Sequence, residues 1–377
     1  MNSKSRMQAV LEGRSVDRVP VAVPYIQLYH TDHFAELSGQ SALMLEGWLY
    51  APPEEHLAVL KRMIAQAPFD IVQPQPAPSA AEREAIEWIE KEGKLWRRDK
   101  RTGAIQPVAG RAAGQHAFEY QANETQKVCS RLDAAERVRP VKAEAIRASG
   151  VTDYAEAAVR ALGAEHFIMP AGNAGILWGL SDYLGQTNML AMLADPPDFL
   201  DYLSEKIMEG LIEHIRAWCS LGADAYYIDD AMSYSDIISV EHYERYSLPY
   251  VKTMVQEIQR LNHKAILIYF GGVADRLEQI VSTGADGLIV ETSMKSYVND
   301  IERIASAVGQ RITIFGNIDP VGILEKADDA TLRKEMDRQA MAGRRARGFV
   351  MSTGSPITPG TPLKRVRQFI EWGARPA

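Results

Sequence analysis

Acidic, amide and aromatic side chains recur where short apolar runs of this chain stop. They are Tyr25, Gln27, Asp70, Asn173, Asp229, Asp230, Gly271, Glu291, Asn317, Asp319 and Ser352. Carboxylates that converge in a partly dehydrated cleft repel one another and hold protons more tightly. One can then act as an acid while another stays a base. The same oxygens could instead hold a hard metal ion. The simpler reading of any one of them is the N-cap of the next helix. Asp230, Glu291 and Asp319 are the favoured chemical groups. Asp229 and Asp230 alternate in direction along a strand, so at most one faces a shared centre.

Other residues carry weaker signals. His30 and His33 lie close to Tyr29 and Asp32. Two histidines at that spacing hold a metal only with helical geometry and further ligands, and ordinary surface histidines are the plainer account. Gly271 and Gly272 would let backbone amides approach a ligand, or would simply make a turn. Tyr269, Phe270, Trp178 and Tyr183 could line an aromatic cavity or belong to the core. Cys129 and Cys219 are the only cysteines, so there is no disulfide framework and no paired-thiolate zinc motif.

The elements that must position these groups are strands. Residues 224–230, 263–272, 287–292 and 311–320 each contain a short apolar run, preceded by a helical pattern and ended by Asp, Glu, Gly or Asn. Such runs suit strands buried on both faces, as in a parallel sheet covered by helices. Further strands are expected near 19, 69, 167 and 348, which makes eight, the number for a closed (β/α)8 TIM barrel. The runner-up is an open doubly wound sheet, whose nucleotide-binding form would require a Gly-rich turn that is missing. Gly163, Gly222 and Gly284 each precede Ala and an acidic residue, and each is expected to close a helix in the left-handed conformation. Residues 172–183 read as a loop after the strand at 167. Residues 75–145 leave the strand–helix rhythm and contain alternating stretches joined by turns, expected as a β-hairpin excursion on the rim. The chain is expected to be one barrel domain over 1–377.

Of the 377 residues 46% are hydrophobic, enough for a large core, and the net charge is −7 with lysine and arginine scattered. That argues against nucleic acid or an anionic membrane as partner. No stretch approaches the ~18 apolar residues of a membrane span. The first helix lacks the apolar centre of a signal peptide, so a cytoplasmic location is expected.

Residues 351–366, preceded by Phe315-Gly-Asn-Ile-Asp-Pro320, resemble the closing signature of the uroporphyrinogen decarboxylase superfamily. The opening from Arg6 to Pro20, the stretch around Trp88 to Val108, and Ser247-Leu-Pro-Tyr-Val-Lys252 are similar to its corrinoid-linked methyltransferase branch. The resemblance covers nearly the whole chain and is most specific at the closing signature. It implies a (β/α)8 barrel with its site at the carboxyl ends of the strands.

Both chemistries of that superfamily lose residues here. The decarboxylases hold an acid-rich tetrapyrrole with an arginine-bearing motif after the first strand, where this chain has Tyr25-Ile-Gln-Leu-Tyr-His30 and no cation. Their closing-motif histidine is replaced by Ser355. The aspartate of Phe69-Asp70-Ile71-Val72 and Tyr183, five residues after Trp178, do fit them. The thiol-methylating branch binds zinc at positions that align with Ile268, Phe270 and Ser355, none a suitable ligand. What the resemblance then implies is demethylation: a small methoxy or N-methyl substrate gives its methyl to a corrinoid on a partner protein. Asp230, Glu291, Tyr269 or Tyr183 could protonate the leaving atom. The expected catalytic set is Asp70, Tyr183, Asp230, Glu291 and Asp319. Substrate contacts are expected from Tyr25, Gln27, His30, Asn173, Trp178, Tyr269, Gly271, Asn317 and Ser355. Any metal is left open, and a homodimer is an option. The alternatives are a lyase using Asp70 and Tyr183 on another carboxylated ligand, and a barrel that binds without catalysis.

Overall fold

The computed structural model describes residues 1–91, 94–108, 128–170 and 172–376. Apolar runs rich in Ile, Val, Tyr and Phe become strands, as their β-branched and aromatic composition favours. Along the chain these are β1 (Ile71–Val72), β2 (Ile86–Lys91), β3 (Lys94–Asp99), β4 (Ile105–Pro107), β5 (Phe167–Ile168) and β6 (Gly172–Ala174). They continue with β7 (Ala225–Asp229), β8 (Lys264–Tyr269), β9 (Gly287–Val290), β10 (Thr313–Phe315) and β11 (Gly348–Val350). A six-stranded parallel sheet runs β11-β10-β9-β8-β7-β6, and β1 pairs in parallel with β5 in a separate two-stranded sheet. The architecture is therefore α/β with parallel sheets. β2, β3 and β4 form a three-stranded antiparallel sheet. The expected insertion at 75–145 includes residues 109–127, which lie outside the described residues.

One continuous eight-stranded ring is not what the ladders give. The first expected strand, near 19, appears only as isolated bridges, among them Val21 with Met351. Pro20 and Pro24 lack the N–H a ladder needs, so a regular pairing cannot extend through them. Single backbone bonds nevertheless join the pieces. Asp70 N donates to Val21 O (2.8 Å), Met169 N to Val72 O (3.0 Å), Asp224 N to Ile168 O (2.9 Å) and Met351 N to Pro20 O (2.8 Å).

Helices cover the sheet where apolar residues repeat at helical spacing. Leu248–Arg260 buries Val251, Met254, Val255 and Ile258, and Ile301–Val308 buries Ile301, Ile304, Ala305 and Val308. Gly222 (φ +77°) and Gly284 (φ +76°) take the expected left-handed conformation, but Gly163 (φ −64°) stays right-handed. The stretch expected as a loop at 172–183 is instead β6 followed by the helix Ile176–Leu184. Burial of Ile176, Leu177, Leu180 and Leu184 along one face holds that helix.

Two apolar layers result. An outer one fills the space between strands and helices. An inner one gathers Ala22, Ile71, Phe167, Ala225, Ile266, Ile268, Ile289, Phe315 and Val350, with Met7, Val10 and Leu11 of the helix Ser3–Leu11 packed into it. Among the described residues, no helix is long and apolar enough to cross a membrane.

Candidate active site

Alternation along β7 decides which aspartate matters. Ala225 and Tyr227 join the inner layer, while Tyr226 and Ile228 pack into the outer one. With a period of two, Asp229 follows Ala225 and Tyr227 inward and Asp230 turns outward. Asp230 is 1% exposed, and its Oδ1 accepts from the Ser247 hydroxyl at 2.7 Å. Burial pushes its carboxyl up to about 6, against hydrogen bonds from Ser247 and Ser233. The strand-end aspartate favoured from the sequence is thus a packed group behind the strand.

Asp229 meets Tyr25, whose hydroxyl donates to Oδ2. Tyr25 has φ 54° and ψ 42°, the left-handed region that a bulky side chain seldom occupies. Its ring is fixed by an edge contact with Tyr227 (5.6 Å between centroids) and by Phe270 (6.2 Å). Oδ1 of Asp229 is buried and has no partner among the described residues. Burial pushes this carboxyl up to about 7, Tyr25 opposes that, and the charges of Asp230 and Glu291 reinforce it. Near neutral pH the group is therefore partly a neutral acid. With Oδ2 occupied by Tyr25, Oδ1 is the oxygen left open to a proton.

Glu291 follows β9. Its Oε2 accepts from the Tyr297 hydroxyl, and its Oε1 accepts from the Ser355 hydroxyl at 3.2 Å. The Asn317 side chain donates to the Glu291 carbonyl (3.1 Å) and to the Asn299 carbonyl (2.7 Å), so Asn317 braces the loop that carries Glu291. Tyr234 feels Asp229, Asp230 and Glu291 together, and burial with these charges holds its phenol protonated. Gly271 (φ +139°) accepts from Asn299 Nδ2 at 2.8 Å, and a Cβ there would lie 2.8 Å from Tyr234 Cβ. Gly271→Ala is expected to cost about 1–3 kcal/mol and to displace Tyr234. A denaturation midpoint equal to that of the wild type would contradict this.

Other expected site residues go elsewhere. Asp70 sits at the amino end of β1, in ion pairs with Arg6 (2.7 Å) and Arg18 (2.9 Å). Asp319 caps the turn Pro320–Glu325 by accepting from Val321 N and Gly322 N. Asn173 donates to the Leu211 carbonyl (3.2 Å) of the helix Leu200–Cys219 behind the sheet. Tyr269 is buried in the outer layer and donates to the Ser233 carbonyl at 2.7 Å. Trp178 and Tyr183 pack against the same layer, and Tyr183 lines a cavity of about 450 Å3 with Val138, Ile207 and His214. Burial lowers the proton affinity of His30 to about 4, leaving it neutral at physiological pH. Gln27 stays near Tyr25 in the first turn of the helix Ile26–Asp32, with its Oε1 buried and unpartnered. Gln73, which the sequence did not single out, accepts from Ile26 N (3.0 Å) and keeps a buried, unpartnered Nε2. The alternation from Ala225 was the signal that could have chosen Asp229 over Asp230. Nothing local marked Gln73, Tyr234 or Tyr297.

The positions aligned with the zinc ligands, Ile268, Phe270 and Ser355, offer two hydrocarbon side chains and a hydroxyl bonded to Glu291. They do not fit that metal. Among the described residues no group of three or more His, Cys, Asp or Glu is placed to hold a metal ion.

Residues 111–375 match the family model described as Uroporphyrinogen decarboxylase (URO-D). The chain belongs to the uroporphyrinogen decarboxylase family. A curated member, the uroporphyrinogen decarboxylase of Trichodesmium erythraeum, is 27% identical over 208 residues, which are 53% of this chain and 56% of that protein. That of Coxiella burnetii is 28% identical over 219 residues, 55% of this chain and 58% of that protein. The chain thus spans a little over half the length of these relatives. A methyltransferase from Methanosarcina mazei shares the fold, with a TM-score of 0.67 at 18% identity over 99% of this chain and 98% of that one. Both the family and the parallel α/β architecture are those expected from the closing signature.

Proposed function

We propose that this member of the family transfers a methyl group from a small methoxy or N-methyl compound to a corrinoid carried on a partner protein, with Asp229 as the acid. The observation that carries the reading is the Asp229 carboxyl: one oxygen held by Tyr25, the other buried and unpartnered, in a group whose proton binding is strengthened by burial. Breaking the methyl–oxygen or methyl–nitrogen bond leaves an electron pair on the heteroatom. Oδ1 supplies the proton that neutralises it, and Asp229 is left as a carboxylate beside the Tyr25 hydroxyl. A reduced corrinoid supplies the electron pair that receives the methyl. Tyr25, Tyr227, Phe270 and Tyr234 offer rings to a small aromatic or amphipathic body. Gln27 Oε1 and Gln73 Nε2 offer an acceptor and a donor to its polar end.

The same reading takes the chain as a single (β/α)8 barrel over 1–377 with an insertion at about 75–145. It is supported by the backbone bonds that join the two parallel sheets and by an inner layer drawn from every strand position around the ring.

Mixing the purified protein with cobalt(I) cobalamin and a panel of methoxyaromatic and N-methyl compounds is expected to yield methylcobalamin, read by its absorbance. No methylcobalamin from any member of the panel would overturn the proposal. The named relatives favour a second reading, carbon dioxide release without a corrinoid, and the same incubations can detect it. Against it, the buried guanidinium of Arg276 is committed to the carbonyls of Ser233 and Ile238 and to Asp275. Arg276 is therefore not available to a polycarboxylate, which Asp229 and Glu291 would repel when ionised.

A further inference from the structure

At the amino-terminal end of the sheet, opposite Asp229, lies a cavity of about 870 Å3. The turn after Ser3–Leu11, the helix Asp329–Gly343, the start of β11 and the end of the helix Leu363–Gly373 enclose it. Its charged lining is Arg14, Arg344, Arg347 and Arg375 against a single acid, Asp337. Asp337 pairs with Arg375 Nη1, and Arg14 is paired with Glu12 (2.6 Å). Two donors are left over. Arg347 Nε and Arg375 Nη2 are buried and have no partner among the described residues.

Buried guanidinium donors without an acceptor are costly and call for an explanation. Arg347 spends its Nη2 on the Asp286 carbonyl. Its stem runs past Gly13, where a Cβ would lie 2.9 Å from Arg347 Cγ and where φ is +68°. A side chain at that position would push the arginine out of place. The guanidinium of Arg333 adds further positive charge from the face of Trp372, at 5.6 Å from the ring centre. Burial weakens proton binding by Arg347 despite nearby Asp286. It does the same for Arg375, where Arg333 adds to the effect. Both shifts are those of cations taken out of water. The remaining wall is apolar, from Val16, Val19, Met336, Phe349, Met351 and Trp372.

We propose that this cavity binds an amphipathic organic anion, a carboxylate or phosphate monoester whose charged end meets Arg347 and Arg375 and whose apolar body lies along Trp372 and Met336. Guanidinium forks match the planar oxygens of either group. The site is separate from the proposed acid and does not depend on the methyl-transfer reading.

Thermal denaturation and calorimetry with phenyl phosphate, benzoate, inorganic phosphate and benzyl alcohol test it. Phenyl phosphate and benzoate are expected to raise the midpoint saturably. Inorganic phosphate, which lacks the apolar body, is expected to bind more weakly, and benzyl alcohol not at all. Arg347→Gln and Arg375→Gln are each expected to weaken phenyl phosphate binding by about 10- to 100-fold. A readout that requires no variant is arginine modification by phenylglyoxal in the native protein, with peptide mapping. Phenyl phosphate should protect Arg347 and Arg375 selectively. The absence of saturable binding, undiminished binding by both variants, or protection confined to other arginines would overturn the proposal. Inorganic phosphate binding as tightly as phenyl phosphate would remove the apolar half of it.

Discussion

Asp229→Asn is expected to lower the rate of methyl transfer by about 10²- to 10⁴-fold, the range over which a positioned acid contributes to catalysis. Asparagine keeps the shape and can still accept from Tyr25, so the loss would report the missing proton. In the wild type the rate should fall as pH rises through about 7, because the ionised carboxylate has no proton to give. Asp230→Asn should keep a fall of the same kind, since Asp230 faces Ser247 behind the strand, but displaced to lower pH because the Asp230 charge no longer reinforces proton binding by Asp229. The same group has a stability signature. The folded protein binds the Asp229 proton more tightly than the unfolded chain, whose aspartates titrate near ~3.9. The stabilisation from that proton is complete below that value and is lost as pH rises to about 7. Relative to wild type, Asp229→Asn should therefore gain stability between these limits, on the order of a few kcal/mol. A stability difference independent of pH would contradict the account.

The second large effect is at Asp70. Its side chain is 1% exposed and accepts from Arg6, from Arg18 and from Val21 N at 2.7–3.0 Å. Removing one member of a buried ionic group strands the other charges, which costs about 3–5 kcal/mol. Asp70→Asn is expected to lose stability of that order, read as a shifted urea midpoint, while the folded protein keeps the wild-type pH profile. An unchanged midpoint together with lost activity would instead make Asp70 part of the chemistry. The sequence placed it among the catalytic candidates because it resembles the family's aspartate in Phe69-Asp70-Ile71-Val72. Its position at the amino end of β1, beside two arginines distant in sequence, could not be read from that motif.

The strands were legible because each is a continuous apolar run, and β7 to β11 appear close to where the pattern places them. The segment near 19 was not, because prolines reduce it to single bridges that composition does not distinguish from a strand. Of the site, Tyr25 and Glu291 were found as polar residues near strand ends, and the structure gives each a carboxyl or hydroxyl partner. Asp319 was favoured for chemistry over the simpler reading as a cap, and a cap is what its bonds to Val321 and Gly322 make it. Choosing between Asp229 and Asp230 required the phase of β7, set by Ala225 and Tyr227 packing inward. The arginine cavity left no trace in the sequence, since Gly13, Arg347 and Arg375 are assembled only by the fold.

The central claim is that Asp229 carries a proton near neutral pH. Carbon NMR of protein labelled with 13C at aspartate carboxyls measures this directly. The account predicts a carboxyl resonance titrating near pH 7 that vanishes in Asp229→Asn and persists in Asp230→Asn. A resonance assigned to Asp229 that is already ionised at pH 5 would contradict it.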